Sequence, residues 1–435
     1  MSKLNNFSKI TSDTIAEAIG QFGSPFYLYD EHLLKEKCRE VLSMPNAYGL
    51  NVRFAMKANS GRSVLKIVDE CGLMIDASSL NEAKRANLAG IDYSKITLTT
   101  QEVPEGEERK DLEEMMLRGL KYNVCSMRQL ALAAPFAREN KINLSIRVHP
   151  GVGGGESASR NTGDDYSCFG IHRTDFQAAV DFAKDSKIKF DKVHVHIGSG
   201  ADPIMWQNNI DLELDIIERY FPDAETVCFG GGLKEARLPG EKCADVTALG
   251  EYAKLRITEF YEKTGRKLKM EIEPGTYVAA NFGYAVTKII DKKRTGENGL
   301  NFFITDGGME INARPIMYGS SHPFYIISAD GKLLYSDWLK EYEECDYEAV
   351  VVGRCCESGD SQCLDAEGRS FARKMSDASI GDIMVIGGTG AYCSSMTPFN
   401  YNSHTQIPEV LATESGELRV IRKRQTLLQI LENEA

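Results

Sequence analysis

At 435 residues the chain is too long for one ordinary hydrophobic core and implies a large domain plus a smaller one. With 51 Lys plus Arg against 63 Asp plus Glu, its net charge of -12 opposes a nucleic-acid or anionic-membrane partner, since both require clustered positive charge. No apolar stretch approaches the roughly 20 residues of a membrane span, and the polar start MSKLNNFSKITSD has no signal-peptide core, so a cytoplasmic protein is expected.

In chain order, the segment FYLYD (26–30) comes first. Short apolar runs then alternate with longer amphipathic ones: VRFAM (52–56), LMID (73–76), ITLT (96–99), YNV (122–124), NLSIRV (143–148), KVHVHI (192–197), TVCF (226–229) and KMEIE (269–273). Between them lie helical patterns such as SVLKIVDECG, DLEEMMLRGL and FQAAVDFAKD, with apolar residues three and four apart. Eight strands alternating with helices fit a (β/α)8 barrel; a doubly wound open sheet is the competitor, with its ligand at a single switch point. The reactive residues separate the two. Lys57 follows run one, Asp76 ends run two, Arg147 and His149 close run five, His196 closes run six, Gly230–Gly232 follow run seven and Glu273 ends run eight. Only a barrel gathers all those C-terminal strand ends into one ring. The GVGGGE run at 151–156 resembles a phosphate loop and is read as a mobile flap after the fifth strand.

Beyond about residue 280 the helical alternation stops, and β-rich runs take over: YAVTKII, NFFIT, FYIIS, LLYS, EAVVVG, IMVI and LRVIR. The expected organisation is therefore a barrel over 33–280 and a mainly antiparallel β-domain over 281–435, joined by a strand from residues 1–32. Eleven cysteines without a CxxC pair, in a chain that needs no disulfide framework, read as reduced thiols. The adjacent Cys355-Cys356 pair in the polar context RCCESGD stands apart from the rest.

The strand ends carry a recognisable set of groups. A lysine in a barrel mouth faces reduced solvation, which favours the free, nucleophilic amine. In KVHVHIGSG, His194 and His196 share a strand face ahead of Gly198-Ser199-Gly200, and FGGGL (229–233) offers bare backbone N–H groups to a phosphate where barrels commonly hold one. An imine-forming lysine, an imidazole that can lie over a ring, a phosphate cradle and the carboxylate of Glu273 together describe a site for pyridoxal 5'-phosphate. A carboxylate against the pyridine nitrogen keeps that nitrogen protonated and the ring able to accept electrons, which favours decarboxylation. An arginine there would suit racemisation better. His194 is read as a packed histidine, since only one of two same-face imidazoles can stack on the ring.

The segments FGSPFYLYDE, FAMKAN, HIGSG, FGGGL, EPG, NARPIMY, CCESGD and GAYCSSMTPFNYNS, in this order from about residue 23 to 412, resemble those of the alanine-racemase-fold (fold type III) amino-acid decarboxylases, in their diaminopimelate-decarboxylase-like group. The resemblance implies a pyridoxal-phosphate barrel with a C-terminal β-domain, working as a homodimer with shared active sites on a small amino-acid substrate. That substrate is meso-2,6-diaminopimelate, converted to L-lysine, with ornithine, lysine or arginine of either hand as alternatives. It implies that Lys57 carries the cofactor, that His196 stacks on it and that Glu273 meets its ring nitrogen. Ser199, Gly230, Gly231, Gly232 and Tyr392 would hold the phosphate, and Asp76, at the same mouth, is placed with the cofactor-binding group. Arg314 and Tyr318 would take a substrate carboxylate. Cys356 would enter from the partner subunit to protonate the carbanion, and Glu357 would contact the distal ammonium.

Four positions depart from the family pattern: Thr276 stands where arginine is usual, Gly200 replaces a glutamine, His404 replaces an arginine, and SSLNE (78–82) replaces a glycine-containing SGGE. All lie where substrate or phosphate would be gripped, so shifted specificity is open. Two other readings compete. A metal-dependent hydrolase could use the HxH pair as ligands, although Lys57 and FGGGL then have no task. A non-catalytic pyridoxal-phosphate carrier would lack the second domain and CESGD, both present here.

Overall fold

Residues 2–154, 161–365 and 367–435 are described in the computed structural model of the chain; Gly155 and Glu156 of the expected flap lie outside them. After β1 (Phe26–Asp30) come β2 (Leu50–Ala55), β3 (Met74–Ala77), β4 (Ile96–Thr99), β5 (Lys121–Val124), β6 (Leu144–His149), the two-residue β7 (Ile171–His172), β8 (Phe190–His194), β9 (Thr226–Cys228) and β10 (Lys269–Ile272). Apart from β1 and β7, these pair in parallel in the order β2-β3-β4-β5-β6-β8-β9-β10, and β10 returns to β2. The eight-stranded barrel is closed, as the strand-end argument requires.

Local chemistry sets the connecting helices. In Arg62–Glu70 the residues Val64, Leu65, Ile67 and Val68 are all buried, the spacing of a single helix face. The chain leaves that helix through Gly72, whose φ of +98° suits glycine. Ser79 and Ser126 cap the helices after β3 and β5, their hydroxyls accepting from the N–H groups of Glu82 (3.0 Å) and Gln129 (3.1 Å).

Along each barrel strand the two faces differ sharply. Val52, Phe54, Ile75, Leu98, Ile146, Val193, Val227, Met270 and Ile272 are fully buried apolar residues, and their alternates Arg53, Asp76, Thr97, Ser145, Arg147, Lys192, His194, Glu271 and Glu273 are buried polar ones. The polar set fills the interior: Lys192 Nζ on β8 reaches Thr97 Oγ1 on the non-adjacent β4 at 3.2 Å and Glu271 Oε1 at 2.7 Å. Arg53 Nε lies 2.8 Å from the other oxygen of Glu271, which also accepts from Asn51 Nδ2 at 3.2 Å. Barrel interiors are usually dominated by branched aliphatic side chains; here period-two alternation puts charge inside.

The C-terminal strands are β11 (Gly283–Arg294), β12 (Asn301–Thr305), β13 (Phe324–Ile327), β14 (Leu333–Ser336), β15 (Tyr347–Val352), β16 (Arg373–Met375), β17 (Ile383–Gly387), β18 (Glu409–Ala412) and β19 (Leu418–Arg422). They form a ten-stranded sheet with β1, which lies between β11 (antiparallel) and β18 (parallel). FYLYD is buried at all five positions. Phe26, Leu28, Tyr284, Val286, Val385 and Val410 make its core, with Ile15 and Ala18 of the helix Ser12–Phe22 packed on them. Pairing is mainly antiparallel; β1–β18 and β12–β15 are the parallel exceptions.

By contacts the chain divides into two units, Met1–Glu36 with Ala236–Glu241 and Ala279–Ala435, and Lys37–Glu235 with Lys242–Val278. Nothing in the sequence marks 236–241 as part of the β-rich unit. All eleven cysteines are free thiols. Among the described residues no helix is long and apolar enough to cross a membrane.

The Arg53–Glu271–Lys192 cluster carries the first prediction. Burial alone would raise the Glu271 carboxyl, but the charges of Arg53 and Lys192 bring it from the ordinary 4.5 to about 2. Because the folded value is the lower one, its contribution is complete above about pH 4.5 and is lost as pH falls toward 2. Glu271→Gln strands two buried cations and is expected to cost about 3–5 kcal/mol in denaturant unfolding at neutral pH. A loss under about 1 kcal/mol contradicts this account.

Candidate active site

β2 ends at Ala55, and Lys57 follows it in a single 3-10 turn, Met56–Ala58. The strand stops because the Ala55 N–H is taken by the Pro274 carbonyl (3.2 Å) and the chain must turn through Asn59-Ser60-Gly61 into the helix that starts at Arg62. Lys57 is exposed at the mouth, and its charge acts on Asp76, Glu82 and His196.

Glu273 leaves β10 one residue past its end, buried, with both oxygens engaged: His194 Nε2 is 2.8 Å from Oε2, and the Cys228 thiol donates to Oε1 at 3.3 Å. Burial opposes ionisation, yet the His194 contact and then the Lys192 charge hold Glu273 well below the usual carboxylate range. Burial likewise holds His194 below 6.5, against the pull of Glu273. Both directions describe the same state, a charged carboxylate beside a neutral ring. The ionised carboxylate with a neutral imidazole is the consistent state, because His194 Nδ1 is buried with no hydrogen-bond partner among the described residues and a second N–H there would be stranded. His194 therefore donates through Nε2. Cys228, raised by burial and then by Glu273 and Glu271, stays a thiol donor.

Around this pair lie buried atoms with no hydrogen-bond partner among the described residues: Asp76 Oδ1, Arg147 Nε and His196 Nδ1. Burial and then the Glu273 charge raise Asp76, against Lys57. Burial, Arg147 and Lys57 bring His196 down to about 3, so its ring is neutral. The Arg147 guanidinium lies 4.8 Å over the Phe169 ring. His149 stands apart, with Nε2 at 3.0 Å from the Ser167 carbonyl and its ring 5.3 Å from that of His172.

Gly230–Gly232 follow β9 as expected, and steric limits explain why all three are glycine. A Cβ would meet the Val195 carbonyl at 2.4 Å from Gly230, the Glu273 carbonyl at 2.4 Å from Gly231 and the Gly198 carbonyl at 2.0 Å from Gly232. Gly230 and Gly232 also take φ of +70° and +94°. The Gly200 N–H donates to the Gly232 carbonyl at 3.0 Å, which ties the Gly198-Ser199-Gly200 loop to this run.

In the β-rich unit a second group forms. Arg314 opens the short helix Arg314–Tyr318 and is buried, its guanidinium 5.7 Å from the Tyr318 ring and 5.8 Å from the Tyr392 ring. Tyr392 takes φ of +58°, a strained setting for a bulky residue. Cys356 and Glu357 are exposed; the Cys356 N–H donates to Asn402 Oδ1 (2.8 Å) and Tyr401 Oη donates to Glu357 Oε2 (3.0 Å). Cys355 turns the other way, its thiol 3.3 Å from Glu310 Oε2.

Comparison with known proteins agrees with this geometry. Residues 33–280 match the family described as pyridoxal-dependent decarboxylase, pyridoxal binding domain. The chain belongs to that family. It is 30% identical to the diaminopimelate decarboxylase of Escherichia coli K12 over 425 residues, 97% of this chain and 96% of that one. The diaminopimelate decarboxylase of Methanothermobacter thermautotrophicus is 31% identical over 95% of this chain and 92% of its own. A crystal structure of diaminopimelate decarboxylase superposes with a TM-score of 0.87 at 30% identity, each chain covering 98% of the other. The Helicobacter pylori diaminopimelate decarboxylase complexed with L-lysine gives 0.77 at 26% identity, covering 96% of this chain and 98% of that chain.

The residues present fit the pyridoxal cofactor of this decarboxylase family. An ionised buried carboxylate, a neutral imidazole two residues past a strand, an amine at the mouth and a glycine run that excludes side chains are the groups such a molecule needs, and three buried polar atoms there lack protein partners. The metal-hydrolase reading loses its ligand pair: among the described residues His194 clusters with Cys228 and Glu273, and His196 does not join them. What the sequence reading missed is His194, a donor to Glu273 and not merely packing. The one available signal was that Glu273 and His194 both alternate inward.

His194 is thus a positioning residue in this decarboxylase. His194→Ala removes a charge-assisted hydrogen bond and is expected to lower kcat about 10- to 100-fold with KM changed less than about twofold. The acid limb of the kcat profile should move to higher pH as Glu273 becomes easier to protonate, and His194→Gln should recover part of both. An unmoved acid limb refutes the role.

Proposed function

We propose that this pyridoxal-dependent decarboxylase converts meso-2,6-diaminopimelate to L-lysine and carbon dioxide in the cytoplasm, as a homodimer. The observation that carries the substrate is the near-complete match to diaminopimelate decarboxylases, which runs through the β-rich unit as well as the barrel. Pyridoxal phosphate, when bound, supplies an electron sink for the pair released from the α-carbon.

The chain's own groups do the rest. Lys57 would hold the cofactor through its amine. Glu273, kept ionised by His194 and Cys228, accepts the ring N–H and so keeps that proton in place. His196, a neutral imidazole, would stack on the cofactor. Ser199, the N–H groups of Gly230–Gly232 and Tyr392 take the phosphate, and Asp76 offers its unsatisfied oxygen to the cofactor. Arg314 and Tyr318 bind the carboxylate that the substrate keeps. Glu357, its oxygen oriented by Tyr401, pairs with the distal ammonium. As carbon dioxide leaves the α-carbon, Cys356 Sγ would deliver the proton that replaces it there. Cys356 and Glu357 serve the site of the neighbouring copy.

Thr276 and His404 motivate the alternative that another basic amino acid is preferred. A carbon-dioxide release assay over meso-diaminopimelate and both enantiomers of lysine, ornithine and arginine separates them. The expected result is kcat/KM for meso-diaminopimelate at least about 100-fold above the others, the discrimination that a site built to bind a second charged end supports. A higher value for ornithine or lysine overturns the substrate assignment and leaves the reaction class standing.

Two variants test the residue roles. Lys57→Ala is expected to lose the visible cofactor absorbance of the purified protein. Cys356→Ala should keep that absorbance and slow turnover by about 100-fold or more, the usual contribution of a positioned proton donor. Full activity in the second variant removes the thiol from the mechanism.

A further inference from the structure

A cluster of three different donors stands in the β-rich unit. Glu310 lies in the turn after β12, Cys355 lies three residues past the end of β15, and His404 follows the turn Tyr401–Ser403. One donor atom from each lies within 4.8 Å of the others. The Cys355 sulfur is 3.3 Å from Glu310 Oε2. Ligands at zinc–sulfur and zinc–nitrogen or –oxygen distances of about 2.0–2.3 Å sit about 3.3–3.8 Å apart around a tetrahedral ion, so only small side-chain shifts separate this cluster from a coordination shell.

We propose that Glu310, Cys355 and His404 form a binding site for a borderline-soft divalent cation of the zinc class, with the fourth position open to water. Donor chemistry selects the class: a thiolate, an imidazole and one carboxylate oxygen suit zinc-like ions and not the all-oxygen preference of magnesium or calcium. The carboxylate is already aimed. Arg354 Nε holds Glu310 Oε1 at 3.1 Å, and the Gly308 N–H holds Oε2 at 2.8 Å, which fixes the plane of the group as outer-shell partners do. The Cys355 thiol now donates its proton to Glu310, and an ion bound between the two would take that proton's place, with Cys355 as thiolate. Access exists: Glu310 and His404 line a cleft open to solvent, with Tyr27, Asn400 and Arg422.

The site would act on the segment that bears Cys356 and Glu357. That segment meets the 400–404 turn through Cys356 N–H to Asn402 and Tyr401 to Glu357. Asn400, Asn402 and Ser403 in that turn have φ of 61°, 50° and 57°, so the turn is strained and must be held by its contacts. An ion joining Cys355 to His404 adds a bond between the same two segments and fixes them.

The test titrates cobalt(II) into the cofactor-loaded, full-length protein and follows the near-ultraviolet thiolate-to-cobalt charge-transfer band. One equivalent of band in the wild type, lost in Cys355→Ala, weakened more than about tenfold in His404→Asn and retained in Cys356→Ala, is the expected result. Zinc should displace the band, and the cofactor absorbance of each variant shows that it has folded. Absence of the band in the wild type, its survival in Cys355→Ala, or its loss in Cys356→Ala with retention in Cys355→Ala overturns the site. None of these outcomes depends on which amino acid the enzyme decarboxylates.

Discussion

Everything at the barrel mouth depends on one buried carboxylate remaining charged. Glu273 cannot do this alone, since burial pushes a carboxyl toward its neutral form. It does so because His194 donates at 2.8 Å, Cys228 donates at 3.3 Å, and Lys192 stands one layer below. Lys192 in turn is held by Glu271, the residue two positions before Glu273 on the same inward face. Two glutamates two residues apart are thus served by one lysine two residues before one histidine. The β8–β9–β10 register, with His194 opposite Cys228 and Cys228 opposite Glu271, brings these side chains together.

Much of this was legible in the sequence, for reasons that are themselves physical. The eight barrel runs could be read because parallel strands buried on both faces are short, apolar-rich and separated by helical periodicity; β8 begins at Phe190 and ends at His194 where the run was placed at 192–197, an error of the usual boundary size. Lys57, His196, the glycine run and Glu273 stood out as candidates because a strand end beside glycine or proline is where a barrel carries its chemistry. The partner of His194 was not visible. Seventy-nine residues separate it from Glu273, and only the closed sheet brings β8 and β10 within one strand of each other. Strands β7, β16 and β18, two to four residues long, were not read. The Cys355-Cys356 pair looked unusual from composition, yet that the Cys355 thiol meets Glu310 is a fact of backbone direction.

The β-rich unit shows a complementary logic. Its sheet is organised on β1, a strand from the opposite end of the chain, buried at every position between β11 and β18. That apolar frame lets the connecting turns carry strain: Tyr392 at positive φ, and the 400–403 turn with three more such residues. Backbone of this kind persists only where its surroundings over-determine it. The buried Arg314, flanked by the Tyr318 and Tyr392 rings, is one such fixed point, and its planar fork is presented by a helix too short to move independently of the turn that follows.

The barrel interior also explains why the fold needs so large an apolar shell. Arg53, Asp76, Arg147, Lys192, His194, Glu271 and Glu273 all lie inside, and taking charges out of water costs more than their mutual attraction commonly returns. The stabilising burial therefore comes from the other strand face. Val52, Phe54, Ile75, Leu98, Ile146, Val193, Val227, Met270 and Ile272 are all within two per cent of full burial, the side of the sheet on which the helices of a barrel pack. The separation is enforced by the period of two, so a one-residue slip in any strand would exchange the faces and bury charge against helix. Register in this protein is consequently fixed by stability, and the geometry of the catalytic mouth follows from the same constraint.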